Sequence, residues 1–326
     1  MKKAFVTGGS GFVGRNLIRR LRHEGVAVAA LARSESAANR VAQLGAVPVR
    51  GDLNDRESLA AGMTGCEVVF HAAAHVEEWG PREDFWRINV DGTQAVLDVA
   101  REAGVACFVH VGTEAIYADG KRSLANLDET APVPDHPLPR YPATKAEAER
   151  RVLAANAEGF RCVSVRPRFI WGRDDSSVLP ALIDAVRTGR FMWVDGGRPL
   201  SSSTHVDNVC EGLWLAAHKG RGGEAYFVAD GPPIPYRELF GGLFEACGVP
   251  APQREMPLWA VRGFARVTEA LWDTLGLRST PPATRMMLEL GAREVTIRDD
   301  KARRELGYAP IISREEGLQT LAPTLS

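Results

Sequence analysis

No apolar run in the sequence is long enough to cross a bilayer, and Met1-Lys2-Lys3 leads straight into the strand-like Ala4-Phe5-Val6 with no signal-peptide pattern before it. The expectation is a cytoplasmic chain with no integral membrane segment. Cysteine is scarce: five residues, at 66, 107, 162, 210 and 247, odd in number, with no Cys-x-x-Cys pair and no ligand-like spacing to a histidine. That argues against a disulfide scaffold or a bound metal and leaves reduced, buried thiols acting as small apolar residues. An excess of one charge is missing too. Forty basic and 41 acidic residues give a formal net charge of −1, so no field draws the whole molecule to nucleic acid. Repeats and low-complexity segments are absent. What is there is ordinary globular composition, 45% hydrophobic and 25% charged over 326 residues, enough to bury a large core.

Apolar β-branched runs at residues 4–7, 26–31, 47–50, 68–71, 108–111 and 162–165 alternate with helix-period segments at 12–23, 37–44, 56–62, 85–103 and 143–156. Continuous apolar strands suit a sheet covered on both faces. The expected fold is therefore α/β, a doubly wound parallel sheet of Rossmann type with a smaller interleaved C-terminal substrate-binding part. Residues 1–166 would form the dinucleotide-binding domain, with 203–228 returning to it, and 167–202 plus 229–326 the substrate-binding part. Within the latter, Leu258, Val261, Phe264, Leu271 and Leu275 form an apolar stripe at helical spacing. Its polar side mixes Arg262 and Arg266 with Glu269 and Asp273, which favours core packing or a pocket cover over a membrane-surface helix.

Thr7-Gly8-Gly9-Ser10-Gly11-Phe12-Val13-Gly14 follows the first strand and opens the first helix. Gly8 permits a tight turn, Gly11 lets backbone approach a pyrophosphate, and Gly14 lets helix and strand pack closely. The amides of Ser10, Phe12 and Val13 belong to the same helix-terminal phosphate cradle. At the end of the second strand, where an acidic residue would hold the adenosine ribose of NAD, stand Arg33 and Ser34. Arginine pairs with a 2′-phosphate, so NADP is favoured over NAD. Asp52 and Leu53, after the third strand, are placed for the adenine, and Ala72, Ala73 and Ala74, after the fourth, leave room beside the cofactor.

Tyr141-Pro142-Ala143-Thr144-Lys145 starts a helix and puts Tyr141 and Lys145 on one face. A tyrosine works as acid or base near neutral pH only if its pKa falls, and a neighbouring ammonium favours the phenolate. With these motifs the sequence resembles the extended short-chain dehydrogenase/reductase family along essentially its whole length. The resemblance implies Tyr141 as general acid/base, Lys145 on the nicotinamide ribose, Thr113 on the substrate oxygen and Pro167 beside the nicotinamide. It also implies a homodimer formed through the two long helices.

Where sugar-nucleotide members of that family carry a diphosphate-binding asparagine and arginine, this chain has Phe169 and the run Ser201-Ser202-Ser203, with Arg168 and Arg198 as nearby cations. Trp79, Phe85, Trp86, Phe169, Trp171, Met192 and Trp193 supply apolar bulk instead. Phe169 and Trp193 are expected to line the substrate pocket, with Glu114 orienting the substrate or facing solvent. His110, inside a strand, is expected to be a satisfied core histidine. The pattern looks most like the 3β-hydroxysteroid dehydrogenase branch and its ketone-reductase relatives, which implies alcohol/ketone oxidoreduction on a small, largely apolar substrate. The alternatives are a sugar-nucleotide epimerase or dehydratase, and a non-catalytic NADP sensor, from which Tyr141 or Lys145 would commonly be missing.

Overall fold

The computed structural model describes residues 1–122 and 124–321; the last five residues of the expected C-terminal part, 322–326, lie outside them. Seven parallel strands form the main sheet: β1 (Lys3–Thr7), β2 (Ala27–Ala32), β3 (Val47–Arg50), β4 (Val68–His71), β5 (Cys107–Val111), β6 (Arg161–Pro167) and β7 (Glu224–Val228). Their order is β7-β6-β5-β4-β1-β2-β3. After β1 the chain turns outward one way to β2 and β3, and later returns to the other side to build β4 onward. The carboxyl ends of β1 and β4 therefore diverge and leave a crevice between them, where doubly wound sheets bind ligands.

Both faces of the sheet are covered, as the continuous apolar strands require. The helices Phe12–His23 and Val206–Lys219 bring Leu17, Ile18 and Leu213 onto one face. Those at Arg56–Met63, Gly92–Glu102 and Tyr141–Ala154 bring Leu59, Val96 and Val152 onto the other. All five cysteines are free and buried.

Three elements differ from the sequence expectation. β7 makes a seventh strand where six were read; it is only five residues long and sits between glycine-rich turns, so its pattern was too short to stand out. The helix expected at 85–103 is interrupted. Arg82–Trp86 runs into a π-helical turn, Arg87–Asp91, before Gly92–Glu102 continues, and the wider turn carries buried Asn89 and Val90. Leu124–Leu127, from within 1–166, joins a second, four-stranded sheet by pairing with Val295–Ile297. The chain thus crosses the expected boundary at 166 in both directions.

Candidate active site

The glycine loop forms the floor of the crevice. Gly8 has φ +68°, and a Cβ there would lie 2.6 Å from the Ala73 amide nitrogen. At Gly14 a Cβ would come within 2.1 Å of the Gly8 carbonyl oxygen, so only glycine lets the helix approach the turn. Gly11 caps the helix without a side-chain bond, leaving first-turn N–H groups open to an anion. These features fit a dinucleotide pyrophosphate. Phe12 is buried beneath the loop. Arg33 is exposed at the end of β2, while the Ser34 hydroxyl accepts the Ala37 N–H and caps the next helix rather than standing free for a phosphate. A cation that the sequence reading missed, Arg40, reaches back from that helix to the Ser10 carbonyl at 3.3 Å. Asp52 is exposed and accepts the Asn54 N–H at 2.8 Å, with Leu53 packed beside it against the core.

Tyr141 opens its helix, with Pro142 in the first turn, and lies half-buried within hydrogen-bond reach of Thr113, just past β5. Burial above all, then the Glu114 charge, pushes the Tyr141 phenol above its ordinary value, and Thr113 opposes this only in part. The expected lowering by Lys145 is absent because the ammonium is directed elsewhere: Nζ donates to the Val111 carbonyl at 2.8 Å and meets His110 Nε2 at 2.9 Å. An ammonium has three protons, so two are committed and one remains.

His110 is not the satisfied core residue expected from sequence. Since Nε2 faces the ammonium, the ring proton belongs on Nδ1, which is buried and has no partner among the described residues. Burial, then the Lys145 charge, holds His110 well below the usual histidine range and pushes its stacked neighbour His71 down to about 3. Both rings are therefore neutral. His71 Nδ1 lies 2.8 Å from the Thr7 hydroxyl and Nε2 2.9 Å from that of Thr93, which itself donates to the Asn89 carbonyl. Asn89, delivered by the π-turn, binds both the N–H and the C=O of His75 and donates to Thr144 Oγ1 at 3.0 Å. It pins the loop after β4 to the Tyr141 helix, a role that spacing alone did not reveal.

Burial pushes the Lys145 ammonium down to about 8, with Glu149 opposing. Between that value and the unfolded lysine value of about 10.4 the unfolded chain binds more protons than the folded one, so this group adds stability as pH rises through the window. Denaturant unfolding at pH 7.5 and 9.5 should show wild type gaining about 2 kcal/mol relative to Lys145→Met. An unchanged difference between the two proteins would refute the buried-ammonium assignment.

Glu114 does not face solvent. It accepts the Thr113 hydroxyl at 3.0 Å and pairs with Arg168 Nη1 at 3.1 Å. Arg168 also donates to the Tyr236 hydroxyl and the Leu290 carbonyl, so this buried guanidinium is not free for a diphosphate. Ser201, Ser202 and Ser203 are buried as well, and Ser203 Oγ donates to Asp230 at 2.8 Å. Phe169 is partly buried, with φ +39° and its ring 5.0 Å from that of Phe240. Trp193, expected on the pocket wall, is instead buried between Phe191 and Phe244, its indole N–H donating to the Pro252 carbonyl. Pro167 is buried at the end of β6.

The residue before Tyr141 ties the site to the C-terminal part. Arg140, at φ +70°, stacks over Trp79, donates to the Gly80 carbonyl at 3.0 Å and pairs with Asp273 at 2.7 Å. Beside it runs a small cleft lined by Glu78, Leu138, Arg140, Glu269 and Met286.

A glycine cradle at the switch point of a seven-stranded parallel sheet, with a tyrosine and lysine at the same edge, defines a dinucleotide-dependent α/β protein of Rossmann type. Residues 4–229 match the NAD dependent epimerase/dehydratase family, and the chain belongs to it. It is 52% identical to 4-hydroxy-2-methyl-3-oxo-4-farnesyl-3,4-dihydroquinoline-1-oxide ketoreductase of Stigmatella aurantiaca, over 98% of this chain and 95% of that protein. It is 35% identical to 2-alkyl-3-oxoalkanoate reductase of Stenotrophomonas maltophilia, over 98% of each. A double mutant of the dTDP-glucose 4,6-dehydratase DesIV from Streptomyces venezuelae, solved with NAD and DAU bound, superposes with a TM-score of 0.75 at 24% identity, covering 98% of this chain and 95% of that one. At that identity the likeness is one of fold.

Proposed function

We propose that this protein is an NAD(P)-dependent ketone reductase acting on a largely apolar substrate, with Tyr141 as its general acid/base. The observation that carries the reading is the placement of Tyr141 beside Thr113 and one helical turn before Lys145. A neutral phenol can donate its proton to a carbonyl oxygen, and the positive charges of Lys145 and of the oxidised nicotinamide that forms would favour the resulting phenolate. When bound, the nicotinamide supplies the hydride. Tyr141 gives its proton to the substrate oxygen, and the Thr113 hydroxyl polarises that oxygen once released from Glu114. Arg168 holds the Glu114 carboxylate in place during that exchange. The third proton of the Lys145 ammonium would be available to the cofactor ribose. Asn89 holds the loop carrying Ala72, Ala73 and Ala74 against the Tyr141 helix, which fixes the width of the crevice.

Two relatives support this substrate class by name, one the ketoreductase of a farnesyl-bearing 3-oxo compound and the other the reductase of 2-alkyl-3-oxoalkanoates, since both names describe ketones with hydrocarbon chains. The commitment of Arg168 to Glu114 and Tyr236 weighs against the sugar-nucleotide alternative, because a guanidinium already paired with a carboxylate is not available to a diphosphate. A panel of apolar ketones assayed by NADPH consumption, with UDP-sugars assayed by chromatography for epimerised or dehydrated product, tests the choice. Turnover confined to UDP-sugars would sink the reductase reading.

NADP is the preferred cofactor on this reading, with Arg33 and Arg40 as its 2′-phosphate ligands. Arg33 and Arg40 stand seven residues apart, at the end of β2 and on the helix behind it, on the side of the Ser10 carbonyl. Arg33→Asp should weaken NADPH by about tenfold to a hundredfold and leave NADH unchanged or tighter, because one charge-assisted phosphate contact becomes a repulsion. Fluorescence titration of both nucleotides reads the ratio. Equal losses for the two would refute the assignment.

A further inference from the structure

Arg140, the residue before Tyr141, is held at a cost. Its backbone lies at φ +70° and ψ −117°, where glycine is at home and a residue with a side chain is strained. The side chain is also buried, with 8% exposure. A glycine or an apolar residue would close the same corner without desolvating a charge. Both ends of the residue are fixed. Thr144 donates to the Arg140 carbonyl through its N–H at 3.0 Å and its hydroxyl at 2.8 Å, and Asn89 holds that hydroxyl in turn. The guanidinium carbon lies 3.5 Å from the centre of the Trp79 ring, while Nε donates to the Gly80 carbonyl at 3.0 Å and Nη2 to Asp273 at 2.7 Å. Asp273 belongs to the helix Leu258–Leu275, and the Trp79 indole N–H donates to the Leu277 carbonyl just beyond it. Arg82 Nη2 approaches the same carboxylate at 4.0 Å. Three segments far apart in the chain thus close on one residue: the loop after β4, the start of the Tyr141 helix and the end of the helix Leu258–Leu275.

We propose that Arg140 is a positioning residue for Tyr141, and that Asp273 acts on Tyr141 through it. The torsions of the residue that caps a helix set the direction in which the first helical residue projects. With its carbonyl and its guanidinium both anchored, Arg140 turns Tyr141 towards Thr113. Rate depends steeply on such placement, since a shift of about 1 Å at the reacting atoms costs about a hundredfold. Asp273 enters because it supplies the charge that partners the buried guanidinium. Without that partner the contacts no longer offset the strain at Arg140, and the start of the helix relaxes. Seating of the helix Leu258–Leu275 against the loop after β4 is thereby coupled to the position of the phenol. The consequence for turnover rests on Tyr141 as proton donor; the coupling itself does not.

Fluorine NMR of the full chain tests the coupling without any substrate. The chain has five tyrosines, and with ring-fluorinated tyrosine the resonance that Tyr141→Phe removes reports on Tyr141. Asp273→Asn, 133 residues from Arg140 in sequence, should shift or broaden that resonance and leave the others in place. In an Arg140→Gly background Asp273→Asn should add nothing, because its route to Tyr141 is gone. In the ketone assay Arg140→Gly should lower kcat by about tenfold to a hundredfold with NADPH affinity like wild type. Asp273→Asn should lower it in the same direction, and the double variant should be no slower than Arg140→Gly. Glycine suits the backbone at this position, so a residue needed only for the shape of the corner would be replaced by it without loss. Full kcat in Arg140→Gly, a Tyr141 resonance untouched by Asp273→Asn, or additive losses in the double variant would each overturn the proposal. A wild type that reduces no ketone would count against the reductase reading alone, and the fluorine spectra would still decide whether Arg140 and Asp273 hold Tyr141.

Discussion

Tyr141→Phe should lower kcat for ketone reduction by about a thousandfold, the middle of the range for a positioned general acid, while NADPH binds as before. The substitution removes one oxygen and keeps the ring. Tyr141 is half-buried at the first turn of its helix, within hydrogen-bond reach of Thr113. Burial and the Glu114 charge already hold the phenol in its neutral form, so its replacement by an uncharged ring removes no charge that the fold relies on. The nucleotide cradle at Gly8, Gly11 and Gly14 is on another part of the crevice. Stopped-flow reduction and a parallel nucleotide titration separate the two effects. A variant that keeps full kcat would refute proton donation by Tyr141, and one that loses both kcat and nucleotide affinity would point to damage of the crevice as a whole.

Glu149→Gln should destabilise the fold by about 3–5 kcal/mol, the usual cost of stranding one member of a buried ion pair. Arg166 Nε lies 3.0 Å from each carboxylate oxygen of Glu149 and Nη2 2.5 Å from one of them, with Ser164 Oγ donating to Glu149 at 2.6 Å and Arg166 Nη1 to the Tyr117 hydroxyl at 2.8 Å. Burial alone would push the Arg166 guanidinium down; the Glu149 charge and its hydrogen bonds more than offset that and hold it above its ordinary value. The pair joins β6 to the helix that carries Tyr141 and Lys145. It also explains Gly112, where a Cβ would come within 2.6 Å of both Glu149 and Ser164. Denaturant unfolding of wild type, Glu149→Gln and Glu149→Met/Arg166→Met would test this, and the double variant should recover much of the loss because neither charge is stranded. A loss below about 1 kcal/mol for Glu149→Gln would mean that water or another group reaches Arg166.

Much of this was legible in the residues themselves. The helix Phe12–His23 and the strands Val47–Arg50 and Val68–His71 have the bounds their periodicity predicts, because a long apolar period outweighs local noise. The doubly wound sheet and the glycine cradle follow from local order: a strand, a glycine turn, a helix. β7 did not, since five residues between glycine turns carry too little pattern, and neither did the crossing of Leu124–Leu127 into the second sheet.

The site divided in the same way. Tyr141 and Lys145 are four apart on one helix, so their partnership is a property of the sequence. The contacts of Lys145 with His110 and Val111, of Glu114 with Arg168, and of Asn89 with His75 and Thr144 are not. They join residues from different strands, loops and helices, and only the packed sheet brings those together. The same holds for the helix Leu258–Leu275. Its sequence shows acids mixed among arginines, while the tertiary structure gives Glu269 and Asp273 their partners, Arg285 and Arg140, and leaves an apolar face exposed. Spacing along the chain determined which chemistry this protein carries. Long-range packing decided which of its charges are neutralised, because a charge's partner is set by distance in space and not by position in the sequence.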